Sequence, residues 1–482
     1  MTLFRTIGRC VAVMFAIAAS ANAQSPADAT PWLDDLAVLE SGLARSYANF
    51  EFNLRERRID LPNIDRTART ALANARDDAA RRAALDGVVA AFRDPHLRIV
   101  WNPVAPDDAA PSPACPAGLR AQQEASTGVR FDRLDGYAPL ASDAARDYKA
   151  ALYQKPGTRT RYGIVRIGAF TERAFGRACA AGAAAIGVAP DAPCDAACER
   201  RLDIAVGRVL NDSLAVALDE LRRGGADRLV VDLTDNGGGS DWVEAVLRIV
   251  GGPVRAARVA MLKHAAWRAQ LDAQLARIDA APDDERAAIA PVRAALARDR
   301  AALADDCDLS AAWTDRDLAL GARPLPCSTL VTGSLHSTGY APHVAPSARE
   351  ASDIDVMRFV ARRYGAYRER KPMLPVAVLV NANTHSAAEL MAAALKDAGR
   401  ATIVGETSAG AGCGQFTDTG TGFALPRSGA AVHAPDCARL RADGSNERRG
   451  VAPDVAVPWG PSDSAYQRAE KMAAALQRLG RR

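Results

Sequence analysis

Three short segments of the chain hold residue types able to do hydrolytic chemistry. In Thr384-His385-Ser386-Ala387-Ala388-Glu389 a serine stands where an apolar strand gives way to a helical pattern. A hydroxyl in that place is exposed, and the backbone N–H of Ala387, an orphan donor of the first helical turn, is available to an oxyanion. The same spacing describes an ordinary helix cap, with Glu389 completing a capping box. Asn236-Gly237-Gly238-Gly239 follows a second apolar strand. A glycine run there lets the backbone approach a ligand and present N–H groups to negative charge, or simply makes a tight turn. His96 stands where a helical pattern becomes a strand, as a general base or as a satisfied structural side chain.

Other chemistries are excluded by spacing. The six histidines are His96, His264, His336, His343, His385 and His433. His385 adjoins Ser386, but neighbours on an extended segment point to opposite faces, so it is the poorer partner. No HExxH or G-x-S-x-G sequence occurs, which removes zincin metalloproteases and typical α/β-hydrolases. The glycines after Asn236 lack a following Lys-Ser/Thr, and Gly410-x-Gly412-x-Gly414 falls short of a dinucleotide fingerprint. Cys194-x3-Cys198 stands without a second pair or nearby histidines, so no metal is expected.

The elements that must position these residues are legible in outline. Apolar residues at helical spacing run from Pro31 to about Ala91, through Trp32, Leu36, Leu39, Leu43 and Tyr47. Leu97 to Trp101 alternates like a strand, and residues 119–160 give no clear pattern. A β/α alternation then begins. Strands are expected at Arg161–Phe170, Arg228–Leu233, Pro375–Val380 and Arg400–Val404. Helices are expected at Leu202–Arg222, Asp241–Val250 and Ser386–Ala398. That order points to an α/β core with parallel pairing. Trp267–Asp306 reads as a helical hairpin broken at Pro282 or Pro291.

Arg5 and Arg9, the short apolar run Cys10–Ser20 and Ala21-Asn22-Ala23 predict a secretory signal peptide, and the apolar run is too short to span a membrane. Without it 459 of the 482 residues remain, a length for about three domains. Removing both arginines takes the formal charge from +4 to +2, and no basic block argues for nucleic acid or a membrane surface. The apolar fraction of 49% and charged fraction of 24% exclude wholesale disorder. Eight cysteines remain, an even number that favours disulfides in a periplasmic or secreted chain. Sequence proximity suggests Cys307–Cys327 and Cys413–Cys437.

Together these segments resemble the serine peptidase family that contains the tail-specific (C-terminal processing) proteases and the tricorn protease. Val231 to Gly239 is similar to the family's D-L-R-x-N-x-G-G strand and turn, with Thr234 in place of the arginine. Val378 to Gly412 resembles its nucleophile segment: a strand, an S-A-x-E helix, D-x-G-R-A, then V-G-E-x-T-x-G. Gly450 to Asp454 matches G-V-x-P-D, and Tyr162 to Ile167 matches the strand that opens the catalytic core. Arg93-Asp94-Pro95-His96 stands where the tricorn-like branch has a histidine. The resemblance implies Ser386 as nucleophile, with the N–H groups of Ala387 and of Gly237 or Gly238 as oxyanion hole. Ala411 occupies the position of the tail-specific lysine, so the tricorn-like pair is implied instead, His96 as base and Glu447 as carboxylate. Pro95 replaces the serine that links that pair in the tricorn protease. Whether Glu447 reaches His96 directly, or Asp94 helps, is therefore open.

The implied fold is α/β, a ClpP/crotonase-like β-α core with an N-terminal helical domain and a helical insertion. Its expected organisation is a signal peptide over 1–23, the helical domain over 24–101 and a linker or small subdomain without a clear PDZ over 102–160. The core follows over 161–254 and 351–482, interrupted by the insertion over 255–350. The implied activity is that of an exported serine endopeptidase acting on a peptide or protein substrate without metal or cofactor. A catalytically lapsed binding module for a peptide or apolar ligand, as retinoid-binding relatives of the family suggest, is one alternative. An esterase on the same fold is the other.

Overall fold

The computed structural model of the chain describes residues 30–103, 111–343 and 374–479. The expected signal segment, residues 104–110 of the expected linker and residues 344–373 lie outside them.

Val-, Leu- and Ile-rich stretches form the centre of a seven-stranded sheet because their residues are buried on both faces. Its spatial order is Val455–Ala456, Ala401–Gly405, Val376–Val380, Arg228–Asp232, Tyr162–Arg166, Ala151–Tyr153 and Tyr137–Pro139. The first five strands run parallel, with Val376 opposite both Leu229 and Ala401, and the last two pair antiparallel. Successive residues face opposite layers. Val378, Val380, Leu229, Val231 and Ile403 pack under the helices Gly176–Ala185, Ala196–Arg223, Val243–Gly251 and Ala387–Asp397. Ala377, Leu379, Val230 and Val404 pack against Met472, Ala473 and Leu476 of the helix Ala465–Leu479.

The N-terminal helices Thr30–Ser46, Leu61–Asn74 and Asp78–Ala90 share a core with Leu309, Trp313, Leu425 and Val432 from much later in the chain. The Trp313 indole N–H donates to the Glu40 carbonyl at 2.8 Å, fixing that union. Arg98–Val100 is the expected short strand and pairs with Ala431–His433.

The expected hairpin is three helices, Ala265–Asp279, Asp283–Ala288 and Ala290–Ala302, because both candidate prolines act: Pro282 precedes the second helix and Pro291 sits in the first turn of the third. The insertion is not wholly helical. Its strands Arg258–Leu262 and Leu330–His336 join Cys437–Leu440 in an antiparallel sheet. Residues 119–160, which gave no pattern, hold most of the helix Ala117–Ala125, the helix Asp143–Asp147 and two three-residue strands, Tyr137–Pro139 at the sheet edge and Ala151–Tyr153 beside it, too brief to show a period. Four disulfides form: Cys115–Cys179, Cys194–Cys198, Cys307–Cys327 and Cys413–Cys437.

Candidate active site

In an open parallel sheet, ligands bind beyond the carboxyl ends of the strands. Arg228–Asp232 runs out into the glycine turn, Val376–Val380 into Asn381–Ser386, and Ala401–Gly405 into the loop that carries Gly410 to Gly414. Three neighbouring strands thus deliver three loops to one place.

Ser386 sits in a sharp strand-to-helix turn with φ +53. A non-glycine residue held there is strained, and such strain needs support from around it. Support comes from Glu389, whose carboxylate accepts the Ser386 N–H at 2.9 Å. The capping reading of this segment thus holds for Glu389, and it does not exclude a second use of the serine. Glu389 also accepts from Ser408 Oγ at 2.6 Å, Gly410 N at 2.5 Å, Ala411 N at 2.8 Å and Gly412 N at 3.4 Å. This fully buried carboxylate therefore binds the serine turn to the Gly410–Gly412 loop. Its capping-box spacing was visible in the sequence, but its grip on a loop twenty residues away was not.

The glycine turn closes over the serine. Asn236, fully buried, accepts the His385 N–H on its carbonyl at 2.9 Å and the Gly238 N–H on its side-chain oxygen at 2.8 Å. Gly238 has φ +91, and a Cβ there would lie 2.7 Å from Ser386 Cβ and 3.0 Å from Ala387 N. Of the candidate oxyanion donors, the Gly238 N–H is thus already engaged. The N–H groups of Ala387 and Gly237 bond to no group among the described residues.

Behind this turn Glu172 is fully buried, with one oxygen accepting from Ser240 Oγ at 2.9 Å and the other unpartnered. Burial, reinforced by the Asp203 charge, pushes its carboxyl up to about 8 from an ordinary 4.5. The folded state therefore keeps a proton that the unfolded chain has lost. That contribution to stability is full below the ordinary value and is lost as pH rises through about 8. Glu40 and Glu447, pushed up to about 8 and about 7 mainly by burial, carry the same sign. Tm is expected to fall from about pH 6 to about pH 9, and less steeply in Glu172→Gln. Parallel melting curves over that range check it; an identical slope in the variant refutes the Glu172 share.

His96 is delivered from the N-terminal helices. Its Nδ1 lies 3.3 Å from the Ala411 carbonyl and 3.7 Å from Asp94 Oδ1, and its own N–H donates to Asp94 at 3.0 Å. Both neighbours of Nδ1 are acceptors, so the proton belongs on Nδ1 and the lone pair on Nε2. Burial lowers the imidazole's pKa, and Arg439 and Arg448 lower it further against the pull of Asp94. Asp94 is itself buried and takes the Tyr47 hydroxyl at 2.8 Å, with Arg448 Nε at 3.5 Å. Arg448 also donates to the carbonyls of Gly410 and Arg93. Gly414 packs so close to the ring that a Cβ would stand 2.8 Å from His96 Cδ2. No hydrogen bond joins the Ser386 hydroxyl to His96.

The structure gives Glu447 another partner than the one the resemblance implied. Its carboxylate pairs with Arg439, whose guanidinium donates to the Ser386 carbonyl at 2.8 Å and the Gly412 carbonyl at 3.0 Å. Glu447 thus meets the serine turn through an arginine, while the carboxylate beside the imidazole is Asp94. The charge expected at 447 was legible; Arg439, two residues past a cysteine, carries no motif. Beside His96 lies a groove of about 530 Å³ lined by Gly414, Gln415, Thr421, Phe423 and His433.

Among the described residues no helix is long and apolar enough to cross a membrane. A family model described as peptidase family S41 matches residues 204–457. Among solved structures, the chain is similar to mature CPAF complexed with lactacystin, at 15% identity and a TM-score of 0.55, over 94% of this chain and 98% of that one. It is similar to a mutant of the same protein at 14% identity and a TM-score of 0.57, over 94% and 97%. These likenesses concern the fold. The photosystem II D1 C-terminal processing protease is similar at 15% identity over 89% of this chain and 95% of that one, with a TM-score of 0.32. No curated protein matches.

Proposed function

The chain belongs to peptidase family S41 and is a serine-type peptidase; from that premise we propose that it is an exported endopeptidase working through an acyl-enzyme on Ser386 with His96 as general base. The observation that carries this reading is a strained serine at the carboxyl end of one strand, with the glycine turn of the adjacent parallel strand packed against it. A Cβ on Gly238 would lie 2.7 Å from Ser386 Cβ, and the N–H groups of Ala387 and Gly237 in these two turns are unengaged.

His96 Nε2 takes the Ser386 proton as Oγ attacks the scissile carbonyl. The N–H groups of Ala387 and Gly237 receive the oxyanion, while Gly238 contributes by its shape and by the bond that fixes the turn. Collapse expels the amine, which leaves with the proton from His96. Water then attacks the acyl-enzyme by the same base, and the carboxyl product departs. Ala411 O and Asp94 hold the imidazole's tautomer and stabilise its cation. Glu447 serves as a positioning residue: through Arg439 it fixes the Ser386 and Gly412 carbonyls. The groove beside His96 would seat the peptide. Four disulfides and the predicted signal peptide support export to an oxidising compartment.

Intact-mass analysis after fluorophosphonate treatment tests the assignment. Wild type is expected to gain one adduct, Ser386→Ala none, and His96→Ala at most a trace. No adduct on folded wild-type protein would turn the reading to a binding module. An adduct that survives Ser386→Ala would move the nucleophile.

The depressed imidazole pKa has a kinetic consequence. A base must be unprotonated to work, so kcat/KM should rise with pH along a limb centred below His96's ordinary 6.5. A pH–rate profile with its acidic limb above that value would contradict His96 as the base in this setting.

A further inference from the structure

The groove beside His96 has a floor of one electrostatic sign. Arg98–Val100 and Ala431–His433 pair with Arg98 opposite His433 and Val100 opposite Ala431, and Ala424 pairs with Ala431 from the other side. Successive residues of a strand take opposite faces. Ile99 and Val432 turn into the core, so Arg98, His433, Ala431 and Ala424 share the face that floors the groove. Among the described residues that line it, the titratable side chains are His96, Arg98 and His433, and none is a carboxylate. An acid opposite an arginine would stabilise the sheet, but a histidine stands there. Surface arginines elsewhere find carboxylates, Arg69 at 2.6 Å from Asp65 and Arg293 at 2.6 Å from Asp279. Arg98 is exposed, and among the described residues no hydrogen bond or ion pair reaches its guanidinium.

We propose that Arg98 selects an aspartate or glutamate side chain of the peptide seated in this groove, with His433 as a second donor. The inference rests on the peptidase reading and adds its substrate class. A guanidinium presents a fork of N–H donors that matches a carboxylate, and a groove of one sign concentrates ligands of the other. A lysine or arginine of the substrate would instead meet repulsion, which sharpens the choice. Burial lowers the His433 pKa and the Arg98 charge lowers it further, with no acid acting the other way. Arg98 follows His96 by two residues, and two residues of chain span at most about 7 Å. The selected acid therefore lies close in sequence to the bond that His96 serves.

Digestion of a random peptide library tests it, with the new termini read by mass spectrometry. The peptides carry acetylated and amidated ends, so side chains hold their only carboxylates. Wild type is expected to show Asp and Glu enriched about fivefold over Asn and Gln at one position near the cut, and less so at high salt. Arg98→Lys should keep the enrichment, Arg98→Gln should lose it, and Arg98→Glu should replace it with one for Lys and Arg; circular dichroism checks that each variant folds. A merely structural Arg98 would not exchange one charge preference for the other. Cuts without acidic enrichment, or an enrichment that Arg98→Gln leaves intact, overturn the proposal and leave the peptidase reading standing. No cut by folded wild-type protein overturns that reading and this inference with it.

Discussion

Gly238→Ala is expected to lower kcat/KM by about 10²–10³-fold in a protein that still folds, the loss typical of an oxyanion site deprived of one donor. The glycine has φ +91, and the added Cβ would press on Ser386 Cβ at 2.7 Å, the His385 carbonyl at 2.9 Å and the Ala387 nitrogen at 3.0 Å. Each is backbone or the Ser386 side chain itself, so the turn must retreat. Retreat carries away the Gly237 N–H and displaces the serine from its donors together. The strain costs about 1–3 kcal/mol of stability, which a domain of this size tolerates. Steady-state kinetics with circular dichroism separates the two effects. Near-wild-type turnover in the folded variant would remove the glycine turn from the site.

Glu389→Gln should be nearly as damaging, by another route. The carboxylate collects five donors, from Ser386, Ser408, Gly410, Ala411 and Gly412. An amide of the same shape turns an NH₂ toward donors it cannot accept from, which leaves buried N–H groups unpaired at about 1–3 kcal/mol each. A stability loss of about 2–4 kcal/mol is expected, with labelling of Ser386 about 10²-fold slower, because the Ala411 carbonyl that holds His96 moves with the loop. Urea unfolding and labelling rates measured on one preparation check both. A slower label without any loss of stability, or the reverse, would show that the carboxylate does not couple the two turns.

Much of this arrangement was legible from residue order. Val376–Val380 and Leu229–Val231 are continuous apolar runs followed by turn residues, and buried parallel strands read that way. The strand-to-helix junction at Ser386 followed from the change of period, and the glycine turn from its composition. Cys307–Cys327 and Cys413–Cys437 close short loops and were suggested by proximity; Cys115–Cys179 joins residues 64 apart and carries no such signal. The strands Tyr137–Pro139 and Ala151–Tyr153 have three residues each, too few for a pattern. Partnerships were the hidden part. Nothing local says that Glu447 meets Arg439, that Glu389 holds Gly410, or that the Gly238 N–H is taken by Asn236, because each depends on where separate strands end in space.

The Cys413–Cys437 bridge acquires a meaning from those partnerships. One of its cysteines ends the Gly410–Gly412 loop that offers a carbonyl to His96; the other opens the strand that carries Arg439 to Ser386 and Glu447. One covalent link thus joins the loop beside His96 to the strand whose arginine fixes the Ser386 turn. A chain whose thiols are still reduced has every residue of the site and lacks the tie between its two halves. Proteolytic competence would then depend on oxidation of these two thiols, and a chain still reduced would hold the two sides of its site less firmly together.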